Sequence, residues 1–185
     1  MSPNSYLKEF ERDFKLSVVQ SISIGMLFLS LILKLIEKMN KTVNKLEALI
    51  QKGLKYILQS SELELTQKSS PEKWSKKEVL GHLIDSGINN LQRFTEIQYE
   101  NKPYKIRNYK QDKLVKANDY QNAESKEIAN FWFAINTRIM CLISQQTEET
   151  LNYKIEIDDS NTSDLRFLIQ DYVNHLEHHL NQILE

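Results

Sequence analysis

All four histidines of the chain fall in two short stretches. His82 sits in GHLIDS, and His175, His178 and His179 sit in DYVNHLEHHLNQI. On an α-helix each residue advances by about 100°. Leu165, Ile169, Tyr172, Leu176, Leu180 and Ile183 then define the buried face of a last helix. His179 lies roughly 50° from the centre of that face and His175 roughly 90°, whereas His178 lies roughly 150° away, toward solvent. The i, i+4 pair His175 and His179 therefore stacks on one edge of the apolar stripe, where two imidazoles can reach a common ion. His82, on a facing helix, is placed to supply a third nitrogen. Three neutral imidazoles suit zinc, nickel or ferrous iron. Three protein ligands also leave coordination positions open, the pattern of a catalytic centre and not of a closed structural one. The same spacing fits two boundary histidines that bind nothing, and geometry alone leaves both readings open.

Two carboxylates lie close to these histidines in sequence. Asp85 is three residues after His82, on a neighbouring part of the same helix surface, and is a candidate to support a ligand from behind. Glu177 faces roughly away from His175 and reads as a surface residue. The single cysteine, Cys141, rules out an intrachain disulfide and any CxxC zinc or redox motif. Its helical position faces away from the core stripe, which argues against a nucleophilic role. A lone cysteine fits a reducing, cytoplasmic compartment.

The elements that must position these residues are helices. Four glycines and three prolines encode few sharp turns. A first helix is predicted over Thr42 to Gln59, with Val43, Leu46, Leu49, Ile50, Leu54 and Ile57 at three- and four-residue steps. SELELTQKSSPEK breaks it. The second helix has the strongest start signal, a Ser75/Glu78 capping box with Trp74 and Val79 at staple spacing, and extends to about Tyr99. A long polar connection, 101–122, is predicted to hold a short helix near Asp112 to Ala117 and to cross along the bundle or over a site. Tyr109 and Tyr120 within it are candidate pocket residues. The third helix is predicted over Ser125 to Gln146, with Ile128, Phe131, Trp132, Ile135, Ile139, Leu142 and Ile143 on its buried face. Phe133, Met140 and Cys141 form a second apolar face, read either as a partner surface or as a wide core stripe. NYKIEIDDSNTS reads as a short extended piece, and Thr162 or Ser163 as the cap of the last helix, with Asp164 in its first turn.

Residues 1–38 stand apart. Leu16 to Leu33 is uncharged and reaches the lower limit for a membrane-spanning helix, although Gln20, Gly25 and four serines dilute it. Three readings are open: a membrane anchor through residues 16–36, an extra helix packed on the domain or on a second copy, or translated sequence upstream of a true start at Met39. Lys34, Lys38, Lys41 and Lys45 follow the apolar run, a bias that would leave the C-terminal domain on the cytoplasmic side. The expected domains are a leader over 1–38 and a helical bundle over 39–185. With 24 basic and 25 acidic residues there is no basic field for a phosphate backbone, so nucleic acid is not an expected partner.

KWSKKEVLGHLIDSGINNLQRF and DYVNHLEHHLNQI resemble the two signature regions of the DinB-like family. NYKQDKLVKANDYQ between them resembles that family's linker, with Leu114 where a Trp is usual. The resemblance spans about Met39 to Glu185. It implies an all-α four-helix bundle with a long crossover between its second and third helices. It also implies one divalent transition metal (zinc, nickel or iron) held by three histidines, which match His82, His175 and His179. Gln182 matches a recurrent Gln one turn beyond the last ligand, placed to support that ligand, and Asn181 stands where many members have Gly. Relatives of this kind include thiol-dependent transferases, isomerases and metal-dependent hydrolases. The implied function is a metal-dependent enzyme acting on a small molecule, such as a thiol S-transferase with a low-molecular-weight thiol, or a hydrolase. The alternative is a non-catalytic, metal-containing, stress-associated binding protein. A homodimer is a common arrangement for such bundles.

Overall fold

Four long helices carry the core. The computed structural model describes residues 39, 41–158 and 160–185, and within it α1 covers 41–59. The short α2 covers Glu62–Thr66, and α3 covers Lys76–Glu96. The crossover follows, with β1 at Tyr104–Lys105 and α4 at Gln111–Ala117. Then come α5 over Ser125–Ser144, α6 over Glu148–Leu151, β2 over Lys154–Asp158, β3 over Asn161–Asp164 and α7 over Leu165–Leu184. Thr42–Glu185 forms one compact unit. The leader and its apolar run lie outside the described residues. Among the described residues no helix is long and apolar enough to cross a membrane.

The predicted periodicities become the bundle's interior. Leu46, Ile50 and Ile57 of α1 are buried, as are Leu80, Leu83, Ile84 and Phe94 of α3, Trp132, Ile139 and Ile143 of α5, and all six residues assigned to the apolar face of α7. Close approach depends on a small residue: a Cβ at Gly53 would stand 2.7 Å from Leu180 and 2.8 Å from Trp132, so α1 can reach α5 and α7 only without a side chain there. The Tyr172 hydroxyl donates to Asn136 Oδ1 at 2.6 Å, and Asn136 Nδ2 donates to the Trp132 carbonyl at 2.8 Å, which satisfies a polar pair buried in the apolar layer.

Phe131 departs from its assignment to the buried face of α5: it is 45% exposed. The buried stripe centres on Ile128, Trp132, Ile135, Ile139 and Ile143, so Phe131 falls past its edge, into a shallow apolar groove of about 430 Å³ with Ile88, Leu91 and Tyr99. The cap of α7 also moves. Asp164, and neither Thr162 nor Ser163, accepts from the Phe167 N–H at 3.0 Å. Pairing of Lys154 with Asp164 keeps the chain extended through the aspartate, which is therefore the last extended residue before Leu165 and takes the cap position.

The extended piece proves to be a small three-stranded sheet in the order β1-β2-β3. Tyr104 and Lys105 pair in parallel with Ile155 and Glu156, and β2 runs antiparallel to β3. The start of the crossover is thereby tied to the segment that leads into α7.

Candidate metal centre

The histidine centre begins with how α3 starts. The Ser75 hydroxyl accepts from the Glu78 N–H at 3.1 Å while Glu78 Oε2 accepts from the Ser75 N–H at 2.8 Å. Lys68 adds an ion pair to Glu78 at 2.7 Å, and the Ser75 hydroxyl donates to Gln121 Oε1 at 2.6 Å. Such a cap is worth about 1 kcal/mol. It fixes the helical phase, and that phase turns His82 inward, where it is 0% exposed. The Trp74 ring lies 5.1 Å from the His82 ring and covers it from the side of the preceding loop.

α7 supplies the other two rings. His82 Nε2 lies 3.2 Å from His175 Nε2. The ring centroids of His82 and His179, and those of His175 and His179, are each 4.6 Å apart, and all three pairs meet edge to face. One ligand atom from each of His82, His175 and His179 lies within 4.8 Å of the others. Among the described residues no carboxylate or thiol joins this group. His178 is exposed and outside it, as its angle requires.

The electrostatics keep these rings neutral. Burial is the main cause that pushes the His82 and His175 imidazoles down to about 4, and the neighbouring histidines add to it. His179 is lowered as well, chiefly by burial, against an opposing hydrogen bond from Gln182. In the unfolded chain such groups titrate near 6.5. Between that value and about 4 the unfolded chain holds more protons than the folded one, so stability is fully present above pH 6.5 and is lost as pH falls. Thermal melting of chelator-treated protein should therefore show a midpoint that falls steadily from pH 7 to pH 4. A flat profile would mean that the rings are solvated.

The donor set fits a divalent ion. Two unprotonated nitrogens on a tetrahedral ion stand about 3.3 Å apart, given metal–nitrogen distances near 2.0 Å, and the His82–His175 spacing is 3.2 Å. The second nitrogen of two rings has a polar group beside it that is able to accept a hydrogen bond, as such binding needs. His179 Nδ1 donates to Gln182 Oε1 at 2.9 Å, and His175 Nδ1 faces the Ser86 hydroxyl at 3.4 Å. His82 Nδ1 has no partner and is buried. A buried imidazole with one orphaned nitrogen, whose other nitrogen meets only a second neutral imidazole, is in keeping with a ring that lends that other nitrogen to an ion.

Of the supporting residues, Gln182 lies directly on a histidine of the centre. Asp85 faces elsewhere: its Oδ1 accepts from the Tyr120 hydroxyl and from Asn118 Nδ2, both at 2.8 Å, and its hydrogen bonds hold the crossover against α3. Asp85 Oδ2 is buried without a hydrogen bond, and burial raises the carboxyl above its ordinary value. Glu177 pairs with Lys45 at 2.6 Å on the surface. Tyr109 lies beneath the Arg93 guanidinium, 5.6 Å from its ring centre. Ser86 carries no motif of its own, but its place one turn after His82 puts it on the strip of α3 that meets α7. A cleft of about 660 Å³ adjoins the centre through Trp74 and Gln182, with Lys73, Val79, Gln111 and Asp112 among its walls. The histidines themselves do not line it.

Comparison with known proteins extends this geometry. A family profile described as the DinB superfamily matches residues 38–183. Among solved structures, one is described as "YfiT from Bacillus subtilis is a probable metal-dependent hydrolase with an unusual four-helix bundle topology". It superposes with a TM-score of 0.72 at 22% identity, over 80% of this chain and 85% of that one. A mycothiol-dependent maleylpyruvate isomerase superposes with a TM-score of 0.63 at 9% identity, over 78% of this chain and 60% of the isomerase. At such identities the likeness is one of fold. No curated protein matches the sequence.

Proposed function

This chain belongs to the DinB superfamily, and from that premise we propose that it is a divalent-metal-dependent enzyme acting on a small molecule, by thiol transfer or hydrolysis. The observation that carries the reading is the convergence of His82, His175 and His179 with no fourth protein ligand among the described residues. A divalent ion held there would supply Lewis acidity that makes a thiol or a water nucleophilic near neutral pH. The chain's own residues do the rest. Burial keeps the imidazoles unprotonated. Gln182 orients His179 through its Nδ1–H. Trp74 shields His82 and forms part of the adjoining cleft, which is large enough for a small molecule and carries both charged and apolar walls. Zinc, nickel and iron all suit the donors. The similar solved structures, one described as a probable metal-dependent hydrolase and one a mycothiol-dependent isomerase, are in keeping with a small-molecule substrate.

The test takes the full chain, loads it with zinc or nickel and measures bound metal by elemental mass spectrometry. Two probe reactions follow: conjugation of cysteine to monobromobimane, and hydrolysis of p-nitrophenyl acetate. About one equivalent of metal is expected, with one reaction accelerated by loaded protein and silenced by a chelator. Protein that takes up no metal would sink the reading. Metal without either reaction would favour a metal-containing binding protein.

A further inference from the structure

The three rings of the centre are not held alike. His175 and His179 each have a polar group beside the second nitrogen, the Ser86 hydroxyl at 3.4 Å and the Gln182 amide at 2.9 Å. His82 has none: its Nδ1 is buried without a hydrogen bond. The bond that carries an imidazole ring is a broad torsion, and a hydrogen bond on the second nitrogen is the usual means of fixing the orientation of a ligating ring. What His82 has instead is an indole. The Trp74 ring lies 5.1 Å from it, inclined by 36°, nearer to stacked than to edge-on. His175 and His179 meet the same imidazole at 68° and 76°, edge to face. Among the described residues, Trp74 is the one aromatic side chain outside the trio in ring contact with His82.

Trp74 is itself tethered. It directly precedes Ser75, whose N–H donates to Glu78 Oε2 at 2.8 Å and whose hydroxyl accepts from the Glu78 N–H at 3.1 Å. Neither bond can reverse, since a backbone N–H only donates and a carboxylate only accepts. The indole is half-buried and shares the cleft wall with Val79, the residue at staple spacing. From this we infer that Trp74 is a positioning residue for the metal centre, an inference that rests on the metal-centre reading above. Its indole face sets the plane of the His82 imidazole, in place of the hydrogen bond that this ring lacks, and keeps the far edge of the ring toward His175 and His179. A stacked face holds the ring whichever nitrogen carries the proton, so the effect is independent of tautomer.

The test compares Trp74→Phe with Trp74→Leu in the full chain. Both keep a bulky apolar side chain before the cap, and only phenylalanine keeps a flat face. Zinc affinity is read by competition with a chromophoric chelator, and helical content is checked by circular dichroism. Zinc binding by the unsubstituted chain is established first; if there is none, the metal reading fails, and this inference fails with it. If zinc binds, Trp74→Leu should weaken it by about tenfold, the usual scale for loss of an outer-shell partner. Trp74→Phe should stay within about threefold of the parent, because one aromatic face replaces another. A leucine variant that binds zinc as tightly as the parent would overturn the inference. So would equal losses in both variants, which would mark the size of the side chain and not its face. A phenylalanine variant that keeps its helical signal yet loses tenfold or more would overturn it alone, whether or not the leucine variant folds.

Discussion

Replacing His175 by alanine is expected to weaken zinc binding by about a hundred- to a thousandfold, taking a ligand's share of the 10–16 kcal/mol typical of zinc held by four protein groups. His175 is only half-buried, and its loss leaves the apolar face of α7 intact, so the helical signal should persist. That separates it from His82, which is wholly buried and whose truncation would open a cavity as well. Affinity is read by chelator competition, and fold by circular dichroism. A variant that binds zinc as tightly as the parent would show that His82 and His179 do not share their ion with this ring. The Ser86 hydroxyl, which faces His175 alone among the three rings, would then lose its role as well.

The second large effect lies outside the ring cluster. Gly81 precedes His82, and a Cβ there would stand 2.0 Å from Tyr120 Cδ2, 2.2 Å from its Cγ and 2.8 Å from its Cβ. These are the inner atoms of the tyrosine, close to its backbone, and no rotation of a flexible tip relieves the overlap. Alanine is ordinarily favoured over glycine inside a helix by about 1 kcal/mol. Here Gly81→Ala should instead destabilise the protein by about 1–3 kcal/mol through overpacking, lowering the melting midpoint by about 2–4 °C for each kcal/mol in a domain of this size. Displacing Tyr120 also removes a donor from Asp85, whose other oxygen is already unpartnered. Thermal denaturation decides the matter, and a variant that melts at or above the parent's midpoint would contradict this packing.

The bundle and its histidines were legible for one reason: both rest on helical periodicity. Leu165 to Ile183 at steps of three and four defined the face of α7, and the same angles put His175 and His179 on its edge and His178 outside. Ser75 and Glu78 announced the start of α3 because a capping box is a local device, written within four residues. What stayed hidden depends on distant partners. β1 is two residues long and exists only because Ile155 and Glu156 lie beside it. Asp164 caps α7 because β3 holds the chain in a ladder as far as that residue. Asp85 looked like support for His82 by proximity along one helix. Its partners Asn118 and Tyr120 are more than thirty positions on, brought back by the crossover. Phe131 was misassigned because an edge position of a helix is buried or exposed according to the width of its neighbour, which no pattern in α5 records.

The crossover is anchored at both ends, at one by the pairing of Tyr104 and Lys105 with β2 and at the other by Asn118 and Tyr120 on Asp85. Between the anchors, Gln111 and Asp112 at the start of α4 face the cleft beside Trp74. A free connection of this length would sample many positions, and any guest in the cleft would have to restrict it. Fixing both ends places that loss of freedom in the folding of the protein. The wall is thus ordered before a guest arrives, so binding need not include the entropy of closing it. Selectivity among guests should then follow the shape of a standing opening, with association little slowed by rearrangement.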